Sequence, residues 1–496
     1  MSTSSLLSDT ELRHRMMGCW LGKAVGGTLG MPYEGVRHTL DLTFYDPVPT
    51  EMLPNDDLDL QVVYAFLLDR MGEAEGGPRV DRHVLSAAWK HIGISPDEYG
   101  VVKRNLKLGL TPPTTGAYDN AFTRGMGAAI RTELWACLAP GDPALAVKYA
   151  YEDACMDHAG EGIYAAQFLA AIQAMAFVES DREKLLDVGL EHIPGDSELA
   201  AAIRDTRAWW AESGDWKWVQ SQLVEKYLTD NFTDVVINLA YTVLGWLAGG
   251  SFGDAICIAV NCGQDTDCTG ATLGALLGIL DPDSIESKWL EPIGRDLVLS
   301  PDISGVEHPP TLDGFTDLVL DLRRRVGGGD TPGAVDPDIP SHLDIPVRIT
   351  SLASMPKADG PPPAVQADDR VQRLGTFVET TAEADGTMVV RYDFELAEAQ
   401  RVNLMFSTPQ AVRVWWDDTC VIDSQGGEFV PAFHRTRSED QIVGLDATPG
   451  RHRVVAAIQS PGAGKPLVWC IGLANDPANP VWRDWLHDAY VRVGKD

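Results

Sequence analysis

The sequence predicts a multidomain α and β protein, with an all-α domain followed by an all-β domain of the sandwich or jelly-roll type. From residue 10 to about residue 325, apolar residues recur at helical spacing, as at Val62 and Phe66. Beyond residue 370 the period changes to two, so that Val390 and Tyr392 are separated by a residue that faces the other way. The stretch between them is rich in Pro and Gly and has no periodicity. The two patterns therefore belong to separate domains.

We place the domain limits where the composition changes. The helical domain spans residues 10–325, a Pro/Gly-rich linker spans 326–370, and the sandwich spans 371–478 before a C-terminal tail, 479–496. Turn signals such as Asp385-Gly386 separate the apolar runs of the second domain at intervals that suit a sandwich.

The charge balance restricts the partners. The chain has 40 basic and 72 acidic residues and a formal net charge of −32. This charge repels a phosphate backbone or an anionic membrane surface, so we expect neither nucleic acid nor membrane as a main partner. A small anionic substrate stays open, because bound divalent cations can reverse the local sign of the field.

The cysteines and the start of the chain indicate a cytoplasmic protein. The eight cysteines show no CxxC pair and no dense, short-spaced framework, which is typical of reduced thiols. The first residues lack the basic start and the apolar run of a secretory signal. No uncharged apolar stretch reaches the length of about 18 residues that a membrane helix needs.

Two sets of glycines predict tightly packed helices. Within each set the glycines lie four residues apart, which places a smooth stripe on one helix face where another backbone can come close. The sets are Gly18, Gly22, Gly26 and Gly30, and Gly270, Gly274 and Gly278.

Two acidic clusters lie where the chain enters apolar helices. The first is Asn55-Asp56-Asp57-Leu58-Asp59, and the second is Gly263-Gln264-Asp265-Thr266-Asp267-Cys268. Capping accounts for either cluster alone, because Asn, Asp and Thr accept from free helix N–H groups and acids suit a first turn. Capping does not need paired acids in both places. Four such acids brought together repel strongly unless divalent cations neutralise them.

The ligand chemistry of these clusters favours hard cations. Oxygen ligands suit Mg²⁺ or Mn²⁺, whereas zinc prefers His or thiolate. Two such ions a few ångström apart can hold a water and lower its pKa. Asp59, on the same side of its helix turn as Asp56, is either a ligand, a supporting acid or a solvated position. We therefore predict a site for two Mg²⁺ or Mn²⁺ ions and a hydrolytic reaction.

Five segments resemble the ADP-ribosylglycohydrolase family, in the family's order. They match the family's Gly-rich first helix with a GxPxE-like turn, its Thr-Asp-Asp cluster, its GNGAxMR segment, its Thr-His segment and its GxDTDT-Gly-Ala segment. The segments are Gly26–Glu34, Asn55–Asp57, Gly125–Arg131, Asp157-His158 with Tyr164-Ala165-Ala166, and Gly263–Ala271. The resemblance covers the N-terminal three-fifths of the chain and implies an all-α, metal-dependent glycosyl hydrolase domain.

The resemblance implies roles for individual residues. Glu34 would act as acid or base beside the scissile bond, with Asp56 and Asp267 as the other catalytic residues. The implied metal ligands are Asn55, Asp56, Asp57, Asp265, Asp267 and Cys268. The implied substrate-binding residues are Gly125, Met126, Gly127 and His158, although His158 also suits a structural, hydrogen-bonded histidine. Asn55 and Cys268 stand where the family has hydroxyl groups; an Asn carbonyl can bind a hard cation, whereas a neutral thiol is a poor ligand for Mg²⁺.

The second domain resembles PA14-like or galactose-binding-like sandwiches in one strand-turn-strand segment, Trp415-Trp416-Asp417-Asp418 followed by Val421-Ile422-Asp423. The alternation predicts that Trp416 points inward and Trp415 outward. An exposed Trp415 could stack on a sugar ring or take part in an interdomain or dimer contact. Oligomerisation through the sandwich is therefore an open expectation.

Three functional hypotheses follow. The first is a metal-dependent hydrolase that cleaves a ribosyl N- or O-glycosidic bond in a small molecule, such as an ADP-ribosyl conjugate, a nucleoside or a related glycoside. The second is a metal-independent glycosidase that uses two carboxylates. The third is a catalytically silent binding or structural member of the family. Chelation separates the first two hypotheses, and metal occupancy separates the third from the first.

Overall fold

The computed structural model describes residues 7–71, 77–328, 345–364, 370–427 and 439–476, together with residues 429, 486 and 489. The chain forms two compact units. The first comprises Met1–Gly93 and Thr123–Ala334, and the second comprises Ile94–Phe122 and Val335–Asp496. Helices build the first unit and antiparallel strands build most of the second, which confirms the predicted fold class.

The described residues contain sixteen α-helices and twelve β-strands, numbered in chain order. The helices are α1 (Asp9–Gly30), α2 (Asp56–Asp69), α3 (Arg82–Leu85), α4 (Asp97–Lys107), α5 (Thr114–Ala117), α6 (Glu133–Leu138), α7 (Pro143–Ala154), α8 (Glu161–Ala176), α9 (Arg182–Glu191), α10 (Glu198–Ser213), α11 (Trp216–Tyr227), α12 (Val235–Ala248), α13 (Phe252–Asn261), α14 (Thr266–Leu280), α15 (Ser287–Leu290) and α16 (Leu312–Arg325). The strands are β1 (Arg79–Val80), β2 (Gly327–Gly328), β3 (Ile345–Leu352), β4 (Arg370–Leu374), β5 (Phe377–Thr381), β6 (Thr387–Leu396), β7 (Gln400–Ser407), β8 (Val412–Trp416), β9 (Thr419–Ser424), β10 (Ile442–Ala447), β11 (Gly450–Gln459) and β12 (Pro466–Asn475).

Two helices form the centre of the helical unit. In α12 every residue from Val235 to Trp246 is buried, and in α14 every residue from Thr266 to Ile279 is buried. A helix that is buried on all sides is surrounded by other elements of the fold. These two helices therefore form the core around which the rest of the unit packs.

The two predicted glycine stripes pack against each other. A Cβ atom added to Gly22 would lie 2.0 Å from the carbonyl oxygen of Gly274, and one added to Gly26 would lie 1.9 Å from that of Gly270. The same close approach pairs Gly18 with Gly278. Along these three pairs the residue numbers rise in α1 and fall in α14. The two helices therefore run antiparallel with their backbones in contact.

The second unit contains two sheets that share one core. One sheet has the strand order β10-β7-β12-β5 and the other has the order β4-β3-β6-β11-β8-β9, and all neighbours are antiparallel. Side chains from both sheets form a single apolar cluster, as Tyr392 and Trp469 do. The Trp469 indole N–H donates to the Tyr392 hydroxyl at 3.0 Å. This arrangement is a β-sandwich, as the alternation predicted.

Trp415 points away from the core between the sheets, as predicted, but the expectation that it is exposed is wrong. Trp416 lies in the core between the sheets, whereas Trp415 lies on the other face of its strand with Val389 and Val455. Trp415 is nevertheless fully buried, and its indole N–H donates to the carbonyl oxygen of Gly360 at 3.1 Å. The segment before β4 covers the ring, so Trp415 has no free face for a sugar.

The predicted domain limits differ from the limits of the two units. The strand β3, at 345–352, falls inside the predicted linker 326–370 and pairs with both β4 and β6. Ile345, Val347 and Ile349 alternate toward the core, but Pro346 and the surrounding prolines hide this short pattern. Residues 329–344 of the predicted linker and most of the predicted tail 479–496 lie outside the described residues.

The helices α4 and α5 belong to the second unit, although they lie in the middle of the predicted helical domain. Leu108 and Tyr118 pack on the core of the sandwich. The buried guanidinium of Arg104 donates to Asp119 Oδ2 at 3.0 Å, and the hydroxyl of Thr376 donates to the same oxygen at 2.7 Å. The apolar contacts of Leu108 and Tyr118 and the hydrogen bond from Thr376 to Asp119 therefore hold this segment to the strands.

Two further expectations can be checked on the described residues. No helix among them is both long and apolar enough to cross a bilayer. All eight cysteines lie among them, and none forms a disulfide.

Alanine at Gly22 should destabilise the helical unit. The added methyl would meet backbone rather than a movable side chain, so we expect a loss of about 1–3 kcal/mol even though alanine favours helix formation. The control is Gly195→Ala, where the nearest atom is the end of the Arg204 side chain at 3.6 Å. Urea unfolding of both variants checks this, and equal stability of the two would contradict the close backbone contact.

Removal of the strands should expose the α4–α5 segment. A chain that ends at residue 334 leaves Leu108 and Tyr118 without the sandwich core and Asp119 without Thr376. We expect trypsin to cut this chain after Lys103, Arg104 or Lys107 at least about tenfold faster than the full chain. Limited proteolysis followed by mass spectrometry measures the rate at these bonds. Equal rates in the two chains would show that the segment is held without the sandwich.

Candidate metal centre

The packing of α1 against α14 brings two distant chain segments together. Because the helices are antiparallel, the end of α1 lies beside the beginning of α14. The hydroxyl of Thr266 donates to the carbonyl oxygen of Gly30 at 2.8 Å, and a Cβ atom on Gly30 would lie 2.2 Å from the carbonyl oxygen of Thr266. The residues that follow Gly30 and those that precede Thr266 therefore share one small region.

A short antiparallel bridge aligns the two turns in this region. The amide of Gly35 donates to the Gln264 carbonyl at 2.9 Å, and the amide of Gln264 donates to the Val36 carbonyl at 2.7 Å. Gly263 and Gln264 both have positive φ, at 81° and 68°, so the chain turns sharply just before α14. This bridge aligns Glu34 with the acids that begin α14.

The first acidic cluster enters the same region at the start of α2. Asn55 is the N-cap, and its side-chain oxygen accepts from the amide of Asp57 at 2.7 Å. The capping interpretation is therefore right for Asn55. It does not extend to Asp265, which precedes α14 without a side-chain capping bond.

Two groups of potential ligand atoms result. Glu34, Asp265 and Asp267 form one group, and Asp57, Asp267 and Cys268 form the other. Within each group the ligand atoms lie within 4.8 Å of one another. Asp267 belongs to both groups, so the two groups are adjacent and share one carboxylate.

Several carboxylate oxygens here are buried without a hydrogen bond. Asp57 Oδ2, Asp59 Oδ1 and Asp267 Oδ1 have no such partner among the described residues, and each of these residues is at most 6% exposed. A buried carboxylate without a partner carries a large desolvation cost, which a bound cation removes. The residues present therefore fit divalent cations, with the carboxylates as oxygen ligands.

The acids in this region ionise with difficulty. Burial raises the pKa of Asp57 to about 7. Burial, reinforced by neighbouring carboxylates, raises the pKa of Asp267 well above its usual range, and it does the same for the Cys268 thiol. Mutual repulsion of this kind is what a cation would relieve.

The remaining acids of the first cluster, Asp56 and Asp59, belong to neither group. Asp56 is half-buried in the first turn of α2 and raises the pKa of both Asp57 and Asp267 by its charge, but it is in neither group. Asp59 Oδ2 accepts from the amide of Ser300 at 3.0 Å. The solvated interpretation of Asp59 is therefore wrong, because its side chain is buried and holds a loop.

A buried polar network supports Asp57 and was not anticipated from the sequence. The ammonium of Lys23 donates to Asp57 Oδ1 at 3.4 Å, to Glu133 Oε1 at 3.2 Å and to the Ile130 carbonyl at 2.7 Å. Gln61 donates to Glu133 Oε2 at 2.9 Å. Lys23 lies in a Gly-rich helix between apolar residues, and this isolated charge on a buried face was the available signal.

The predicted substrate-binding residues meet through a second buried network. Arg131 donates to the Gly127 carbonyl at 2.8 Å and forms ion pairs with Asp153 and Asp157 at 2.9 and 2.8 Å. His158 Nδ1 lies 2.7 Å from Asp157 Oδ1. Burial opposes ionisation of Asp157, but Arg131 and His158 outweigh it and lower its pKa. Gly127 and His158 are thus brought together, and both are buried rather than open to solvent.

Lys23 joins the two networks, because the Ile130 carbonyl that it binds lies one residue before Arg131. Gly125 and Met126 are buried in the turn before this point, and the Met126 carbonyl accepts from the Ile130 amide. The predicted metal and substrate segments therefore form one connected polar interior.

The profile of the ADP-ribosylglycohydrolase family matches residues 8–320. A comparison with functionally curated proteins finds no match. Among solved structures, an ADP-ribosylglycohydrolase-related protein complex is similar at 20% identity and a TM-score of 0.44, over 64% of this chain and 99% of that one.

Two other solved structures are similar over smaller parts of the chain. An anti-sigma factor domain-containing protein from Clostridium clariflavum has 10% identity and a TM-score of 0.19, over 31% of this chain and 49% of that one. A GH31 alpha-xylosidase from Xanthomonas citri has 14% identity and a TM-score of 0.15, over 29% of this chain and 15% of that one. These scores are too low to support a functional argument. The family profile, however, matches more than half of the 496 residues, and the chain belongs to the ADP-ribosylglycohydrolase family.

Proposed function

We propose that this protein is a metal-dependent hydrolase that cleaves a ribosyl N- or O-glycosidic bond in an ADP-ribosyl conjugate, a nucleoside or a related glycoside. One observation carries the proposal: three distant segments converge in two adjacent groups of ligand atoms that share Asp267, and two of the buried carboxylates there, Asp57 and Asp267, each have an oxygen without a hydrogen bond. Family membership supports a glycohydrolase-like function.

The side chains differ in their proposed roles. The proposed metal ligands are the carboxylates of Asp56, Asp57, Asp265 and Asp267, together with Asn55 and Cys268. Two Mg²⁺ or Mn²⁺ ions held there would activate a water molecule and bind the ribose hydroxyls. Glu34 is exposed at the rim of the first group, where it can reach substrate and move a proton at the scissile bond.

The second buried network suits substrate positioning. Arg131 holds the Gly125–Gly127 turn by its carbonyl and orients Asp157 and His158. A turn of this kind offers backbone N–H groups at close range, because glycine has no side chain to block a ligand. We assign Gly125, Met126, Gly127 and His158 to substrate binding on this basis.

One observation favours a metal-independent glycosidase as a second candidate. Burial raises the pKa of Asp267 well above its usual range, which favours its protonated form, and Glu34 lies in the same group. A protonated and an ionised carboxylate together can cleave a glycoside. Activity that survives chelation and does not respond to Mg²⁺ or Mn²⁺ would favour this candidate.

Removal of a proposed ligand should abolish metal-dependent hydrolysis without unfolding the protein. We expect Asp265→Ala and Asp56→Ala each to lower kcat/KM by at least about 100-fold, because an ion loses a ligand. Folding should persist, because Asp265 makes no capping bond and removal of either acid relieves repulsion. The control is Asp254→Ala, an exposed acid in the first turn of α13.

The assay compares the full chain and its variants on ADP-ribose conjugates and on simple nucleosides at saturating Mg²⁺ or Mn²⁺. Circular dichroism and thermal melting confirm folding of each variant. Absence of hydrolysis on every substrate by the unaltered chain would reject the enzyme proposal and favour a silent binding member. Unfolding of both variants would instead assign the acids to helix capping.

The metal-free protein should lose stability as pH rises. Burial raises the folded-state pKa of Asp57 to about 7 and that of Asp267 well above its usual range, whereas both have values of about 3.9 when unfolded. Their contribution is therefore fully present below the unfolded pKa and is lost as pH rises through the folded pKa. We expect the Tm of chelated protein to fall between about pH 4 and pH 7, and saturating Mg²⁺ or Mn²⁺ to reverse the fall.

The matched control is Asp267→Asn, which removes one of the raised groups and should make the decline shallower. Calorimetry of both proteins at several pH values measures the difference. A Tm that is constant or rises over this range in chelated wild-type protein would contradict the assignment of buried, repelling carboxylates.

A further inference from the structure

The two groups of ligand atoms differ in chemistry. Glu34, Asp265 and Asp267 offer oxygen alone, whereas Asp57, Asp267 and Cys268 offer two oxygens and one sulfur. The sulfur of the second group comes from Cys268, and the first group has none.

The second group is closed to solvent and oriented inward. Asp57, Asp267 and Cys268 are 1%, 6% and 7% exposed. Asp57 Oδ2 and Asp267 Oδ1 have no hydrogen-bond partner among the described residues, while Lys23 occupies the other oxygen of Asp57. One carboxylate oxygen of each acid and the thiol sulfur lie within 4.8 Å of one another, and each acid has a buried oxygen without a hydrogen bond among the described residues.

We propose that Asp57, Asp267 and Cys268 form a mixed sulfur and oxygen site that selects a borderline transition-metal ion of the Zn²⁺ or Co²⁺ type over Mg²⁺. The inference rests on the proposed function in placing two ions here, and it makes the two positions unlike. Thiolate sulfur binds such ions strongly and Mg²⁺ poorly, whereas the all-carboxylate group suits Mg²⁺ or Mn²⁺.

The charges of the site are compatible with this occupant. When the ion binds, a sulfur–metal bond replaces the S–H bond, and the proton leaves to solvent. Without the ion and with a neutral thiol, the carboxylates of Asp57, Asp267 and Glu133 carry three negative charges against the one positive charge of buried Lys23, which pairs with both Asp57 and Glu133. With the ion bound, the thiolate adds a negative charge and the ion adds two positive charges, so the net charge falls from −2 to −1. A buried set of charges is less costly when its net charge is smaller.

Cobalt is the probe, because Co²⁺ follows zinc in ligand preference and reports sulfur directly. We expect Co²⁺ added to the chelator-stripped full chain to produce a near-ultraviolet sulfur-to-cobalt charge-transfer band that saturates at one equivalent. Cys268→Ser and Cys268→Thr should lose the band. The matched control is Cys262→Ser, another buried cysteine that lies outside both groups and contacts the Ile258 carbonyl.

Competition measures the selectivity. We expect the unaltered chain to retain Co²⁺ in excess Mg²⁺, and Cys268→Thr to lose at least about tenfold in Co²⁺ affinity relative to Mg²⁺. A missing band in the unaltered chain, or a band that persists in Cys268→Thr, would overturn the inference. Hydrolysis is assayed on the same samples: activity with Mg²⁺ but no band would overturn only this inference, and a band without activity would overturn only the proposed hydrolase.

Discussion

The direct backbone contact between α1 and α14 is the constraint on which the candidate centre depends. Four glycines of α1 lie against the start and the glycines of α14, so that no side chain separates the two helices. Sliding one helix along the other would drive a side chain into a carbonyl group, which allows only one register. That register places the end of α1 beside the start of α14, and Glu34 beside Asp265 and Asp267. A packing rule thus determines where the chemistry lies.

The same contact concentrates charge in a dry interior. Asp57, Asp267 and Glu133 are buried close together, and burial raises the pKa of each carboxyl group. Lys23 compensates part of the charge by holding Asp57 and Glu133 at once. Part of the negative charge remains uncompensated. It favours a cation over water, because the carboxylate oxygens without partners gain most from a ligand of opposite charge. These buried carboxylates lower the stability of the metal-free protein, and a bound cation would restore it.

The order of segments along the chain does not match the order of the compact units. The segment with α4 and α5 leaves the helical unit after Gly93 and returns to it at Thr123, yet its own contacts are with the strands. Within the second unit, Arg104 and Asp119 form a buried pair that also binds Thr376. Leu108 and Tyr118, which directly follow α4 and α5, cover one part of the sandwich core. The family match across residues 8–320 therefore spans a piece of both units.

The sequence by itself determined the fold class, the inward face of the strands and the identity of the acidic clusters, because periodicity, glycine spacing and paired carboxylates are local properties. Val390, Tyr392 and Phe394 point inward as their alternation requires. Tertiary structure alone decided that the two glycine stripes pack against each other. It also decided that Trp415 is buried beneath the segment that contains Gly360. It also decided that Lys23 and Glu133 share the interior with Asp57, and that α4 joins the strands. These are contacts between residues far apart in the chain, and their energies depend on neighbours that no local pattern records.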